Sequence, residues 1–174
     1  MGDLGNGFGI GSGAGGGGGM GMDKIPATMR GRCMPGDRTR LLFEHGGTAE
    51  GDTAVVKSLD WLKDGQTADG SWGTESHGAM TGFAQLWYLG HGETPTSQRY
   101  GETVTKGLQV LVEMSKRQGG QIGELTTRHW SYEHGIAAYA LGEANALLKE
   151  EGSTSPGLTE AFEKSVEIIV EGQN

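Results

Sequence analysis

The sequence predicts an all-α fold, an array of αα-hairpin repeats behind a glycine-rich arm. Three observations carry that expectation. From residue 48 onward the apolar residues recur with a helical period, short phrases return at intervals near fifty residues, and no segment alternates with period two for long enough to make a strand. The elements follow in chain order.

Residues 1–22 hold 12 of the chain's 34 glycines. Such a stretch has too few side chains to repay the entropy of ordering, so it is expected to behave as a flexible arm. Gly11, Gly13 and Gly16 match the spacing of a dinucleotide fingerprint. That fingerprint works only between a strand and a helix, and the arm offers neither. Residues 23–47 read as an extended basic linker, with Lys24, Arg30, Arg32, Arg38 and Arg40 against Asp23, Asp37 and Glu44. It is expected to lie across the more acidic remainder, or to meet an anion or partner. Cys33, the one cysteine, precludes an intrachain disulfide and stands in this segment without a neighbouring histidine.

Five helices are expected within 48–174. In the first, Val55, Leu59 and Leu62 form a stripe widened by Val56 and Trp61, with Thr48 or Asp52 as cap. In the second, after Ser76, the stripe is Met80, Phe83, Ala84 and Trp87, stopped by Gly90 and Gly92. The third carries Val104, Leu108, Leu111 and Val112 up to Gly119 and Gly120. The fourth places Tyr132, Ile136, Tyr139, Ala140 and Leu147 on one face and Ala137, Leu141, Ala144 and Leu148 on another, so burial on most sides is expected. The fifth is expected to start at Ser155 and Pro156, with Leu158, Phe162, Ser165, Val166 and Ile169 as its stripe.

The phrases Ser58–Lys63, Gly107–Val112 and Ser165–Val170 correspond at spacings of 49 and 58 residues, and Thr81–Ala84 returns 53 residues later as His134–Ala137. Each unit is therefore an outer amphipathic helix, a glycine-rich turn and a more apolar inner helix. The net charge of −8 arises beyond residue 50, where 9 basic residues face 17 acidic ones. A surface of that sign does not attract nucleic acid or an anionic membrane. No apolar run is long enough to span a bilayer.

The first turn, with Gln66, Asp69, Gly70 and Trp72 after a helix ending in Trp61 and Leu62, resembles the Gln-Trp repeat of the terpenoid cyclase and protein prenyltransferase superfamily. The helix around Thr81–Ala84 resembles that family's inner helix. The phrase from Tyr132 to Ala144 is similar to bacterial proteins with prenyltransferase and squalene-oxidase-type repeats. The resemblance covers residues 48–174 and implies part of an α/α-toroid. Within it Gln66, Asp69, Gly70 and Trp72 are expected to serve structure: the amide satisfies backbone groups at helix ends, and the indole locks one hairpin to the next.

The family's chemical signatures are missing from this chain. The cyclases' Asp-x-Asp-Asp acid does not occur, since Asp60, Asp64 and Asp69 are spaced otherwise. The prenyltransferases' zinc ligands include a cysteine, and residues 48–174 have none; the thioester phrase of complement-like toroids is also lacking. The remaining catalytic candidates are Glu143 and His134, a carboxylate and an imidazole on the apolar fourth helix. Glu143 is expected to face the interior beside His134 or Tyr139. His129 and Glu133, four apart, form an incomplete ligand pair, so no metal and no cofactor is assigned. Tyr132, Tyr139, Trp130 and Trp87 are expected in the core.

Three functions fit these residues: a non-catalytic binding or scaffold module, the N-terminal part of a cyclase- or prenyltransferase-type enzyme with its catalytic residues beyond residue 174, or a carbohydrate-acting toroid enzyme lacking a placeable carboxylate pair. The implied partners are further repeats of a longer chain or a second copy, and an apolar small molecule. Gly172 and Gln173 match Gly65 and Gln66 just before the sequence stops, so a fragment with an exposed apolar patch is expected.

Overall fold

A computed structural model describes Arg32, residues 35–126 and residues 128–173. Among these residues there are six helices and no strand. They are α1 (Pro35–Glu44), α2 (Ala49–Asp64), α3 (His77–His91), α4 (Gly101–Arg117), α5 (Trp130–Glu150) and α6 (Leu158–Glu171). The glycine arm, its fingerprint spacing and Cys33 lie outside the described residues.

Helix α1 falls where an extended linker was expected. Asp37 sits in its first turn, and Arg40 pairs with Glu44 one turn on, which supports a short helix locally. Helix α2 starts at Thr48, whose hydroxyl accepts the Gly51 N–H at 3.1 Å. Helix α3 ends at left-handed Gly92, and the following Glu93 N–H returns to the Tyr88 carbonyl at 2.9 Å. Helix α6 starts at left-handed Gly157 and not at Ser155 and Pro156, because the Ser155 carbonyl is taken by the Leu158 N–H in a preceding turn.

The helices form two layers. Inner helices α3 and α5 make the broadest contact. Outer helix α4 packs mainly on α3, and α6 mainly on α5, so each outer helix rests on the inner helix before it in the chain. Helix α2 meets α3 along a narrow line only. The core between the layers holds Leu59, Trp72, Tyr88, Leu89, Tyr100, Leu108, Leu111, Ile122, Leu141 and Leu147. Burying each large side chain contributes about 1.5–3 kcal/mol.

The helical periods hold, but several expected stripe residues are exposed, among them Val55 and Trp61 of α2. In α3, Ala84 is buried while Met80, Phe83 and Trp87 are exposed; the buried face is Thr81, Gln85, Tyr88 and Leu89. In α5, Tyr132 and Tyr139 are 72% and 63% exposed, so the aromatic set expected in the core is outside it. The buried aromatics are instead Trp72, Tyr88 and Tyr100, a column with centroid spacings of 6.3 and 5.3 Å. Both buried phenols are satisfied inside: Tyr88 donates to the Leu59 carbonyl at 2.8 Å and Tyr100 to the Asp60 carboxylate at 2.9 Å.

Candidate functional site

The turn between α2 and α3 is held by side-chain hydrogen bonds. The Gln66 amide donates to the carbonyls of Gly70 and Thr103, each at 3.0 Å, and thereby ties the turn to α4. The Asp69 carboxylate accepts from the Thr67 hydroxyl and from both the N–H and hydroxyl of Ser71. These bonds, the Thr67 hydroxyl first, hold its carboxyl down at about 2. Trp72 is buried, and its indole N–H donates to the Leu62 carbonyl at 2.8 Å.

The next turn repeats this geometry with other side chains. Gly70 and Gly120 share a positive φ, +92° and +111°, and a Cβ on either would strike the backbone of Lys106 or Lys164. Those lysines lie at matching places in α4 and α6. Ile122 stands where Trp72 stands: the Trp72 N–H donates to the Thr81 hydroxyl at 3.2 Å and the Ile122 N–H to His134 Nδ1 at 3.1 Å.

His134 is thus a helix tie. Its Nδ1 accepts the Ile122 N–H, and its Nε2 meets the Ser165 carbonyl at 3.0 Å. A backbone N–H only donates and a carbonyl only accepts, which places the ring hydrogen on Nε2. Glu133 is buried and caps a neighbour: its carboxylate accepts the Gly78 N–H at 2.8 Å. Helix α3 needs that bond because Ser76, its own N-cap residue, makes no side-chain bond to it. His129 remains exposed, 6.4 Å from the Tyr132 ring. His129 and Glu133 do line one polar recess of about 590 Å³ with Glu75, His77 and Arg117. Among the described residues no three His, Cys, Asp or Glu side chains are grouped to hold a metal ion.

Glu143 faces inward as expected, with its side chain 5% exposed, but its partner is neither His134 nor Tyr139. It pairs with the guanidinium of Arg32, which stands before α1 and 111 residues away in sequence. A buried carboxylate needs such compensation. Arg38, inside α1, donates to the His91 carbonyl at 3.0 Å. Nothing local in the sequence links Arg32 to Glu143 or Arg38 to His91; the distances are set by how α1 folds back.

An extended apolar feature lies between α2 and α3. Trp61, Met80, Phe83 and Trp87 line a groove of about 680 Å³ floored by Leu62, Trp72 and Ala84. Trp87 also borders a second pocket of about 550 Å³, walled by Val55 and Leu59 of α2 and by Leu42 of α1, with Arg38, Asp52 and His91 among its polar residues. The two pockets share Trp87 and together make up the trough between α2 and α3; Arg38 and Leu42 of α1 border the one that includes His91. The sequence marked Met80, Phe83 and Trp87 as a stripe but could not say which side of the stripe found a neighbour. No helix of the described residues is long and apolar enough to cross a membrane.

Set against known proteins, the chain matches no family, and no curated protein or solved structure is significantly similar to it.

Proposed function

We propose that this chain is a prenyltransferase- and squalene-cyclase-like helical repeat, an arc of an α/α-toroid, that acts as a non-catalytic binding or scaffold module. The trough between α2 and α3 carries the reading. Its four large apolar side chains, Trp61, Met80, Phe83 and Trp87, are between 45% and 72% exposed. Contiguous patches of this kind mark interaction sites more often than bare surface. The polar candidates support the same reading from the other direction. His134 and Glu133 are bonded to backbone groups of neighbouring elements, and Glu143 is paired with Arg32.

Binding of the apolar dye anilinonaphthalene sulfonate to the native chain tests this. The dye should fluoresce in the presence of the folded chain below its melting transition. Phe83→Asp, an exposed change, should remove most of that signal without moving the transition. A native chain that leaves the dye dark overturns the reading.

A further inference from the structure

We propose that the α2–α3 trough is a receptor for an arginine-bearing amphipathic helix of a partner protein, and that α1 is the chain's own occupant of one end of it. The inference rests on the binding-module reading and names the partner class for the same surface.

The register of the repeats says that the trough is shaped for a helix. Helix α4 rests on α3 and α6 rests on α5, whereas the helix that precedes α2 is the ten-residue α1. Positions that correspond between repeats show the difference. Val104, 49 residues after Val55, is fully buried, while Val55 is 46% exposed. Ala140, 53 residues after Trp87, is fully buried, while Trp87 is 54% exposed. Helix α3 itself covers the α5 side of the second seat, since a Cβ on Gly82 would touch Ile136 and Ala137. The first seat runs alongside α3, whose 15 residues span about 22 Å at the helical rise of roughly 1.5 Å per residue. Of α1, Arg38 and Leu42 border one end of it.

The docking of α1 shows what chemistry the seat takes. Leu42 enters the apolar wall with Val55, Leu59 and Trp87. One turn earlier, Arg38 meets the last carbonyls of α3 at His91, a helix C-terminus that favours a cation. Asp52 and Glu93 both lie beside the His91 ring, at 3.9 and 2.9 Å, and add negative charge there. An apolar residue four places after an arginine therefore satisfies the seat, and a longer helix of this pattern also covers Trp61, Met80 and Phe83.

The occupant is weakly held. None of Gly36–Glu44 is buried, and Phe43 is 56% exposed. A helix of this length is marginal by itself and opens readily. A partner helix that covers the whole trough can therefore displace α1.

The test uses the full chain and, as probe, a fluorescein-labelled peptide copying residues 32–48. Arg38→Glu and Leu42→Asp each loosen α1, and either suffices if the other fails to fold. A loosened chain should bind the peptide at least ten-fold tighter than the unsubstituted chain, by fluorescence anisotropy. Adding Trp87→Ala should weaken that binding at least ten-fold, as should Arg38→Glu in the peptide. A loosened chain with a normal melting transition that binds no peptide overturns the proposal, as does binding that is indifferent to Trp87. If the dye still binds at Phe83 in that case, the receptor proposal alone has failed; if neither binds, the module reading fails with it.

Discussion

Trp72 and Gln85 lie close together, on either side of Gly107, and have opposite effects on stability. Trp72 is 5% exposed with its N–H satisfied, so Trp72→Ala should destabilise the fold by about 3–5 kcal/mol in urea titrations. Gln85 is fully buried, and neither polar atom of its amide has a hydrogen-bond partner among the described residues. Desolvating such an amide costs about 1–3 kcal/mol, and Gln85→Met should recover part of it, visible as a higher urea midpoint. Asp69 and Tyr100 both couple stability to pH. Asp69 is held at about 2, below its ordinary 3.8, so its contribution is present above that ordinary value and lost as pH falls towards 2. The midpoint difference between the unsubstituted chain and Asp69→Asn should shrink over that acid range. Burial, and then the bond to Asp60, push the Tyr100 phenol up to about 12 from 10.0. Its contribution is full below the ordinary value and lost as pH rises through the raised one. The difference in urea midpoint between the unsubstituted chain and Tyr100→Phe should therefore shrink as pH rises from the ordinary value to the raised one.

At the scale of elements, α5 holds its neighbours through polar side chains at its first turns. Glu133 supplies the cap that Ser76 does not, so Glu133→Ala should cost about 0.5–2 kcal/mol and speed amide exchange first in the opening turn of α3. His134→Ala leaves the buried Ile122 N–H without its acceptor and should cost about 1–3 kcal/mol. Equal exchange rates along α3 in the Glu133 variant would show that the cap is not held from α5. The periods of these helices were legible in the sequence because burial on one side imposes a spacing. The side itself was not legible in α3 or α5, since Met80, Phe83, Trp87, Tyr132 and Tyr139 are as apolar as the residues that did become core.

The described helices present apolar surface at both sides of the stack. Val166, Ile169 and Val170 of α6 are 38%, 39% and 56% exposed, opposite the trough between α2 and α3. Sedimentation velocity should show concentration-dependent association. Ile169→Glu should shift the chain towards the monomer while leaving its melting transition in place. An unsubstituted chain that stays monomeric at high concentration would show that these faces do not drive contact between copies.

Local rules in the sequence by itself determined the five helices from residue 48 onward, the caps at Thr48 and Gly92 and the repeat spacings of 49, 53 and 58 residues, but not α1, which reads as a linker. Periodicity, capping and the φ demanded of glycine act over a few residues, so they can be read along a chain. Tertiary structure alone decided that Arg32 would neutralise Glu143, that His134 and Glu133 would tie helices together, and that Trp87 would stand bare while Tyr88 beside it was buried. Those outcomes depend on which helix arrives at which face. Arrival is set by the packing of distant segments, which a short stretch of sequence does not specify.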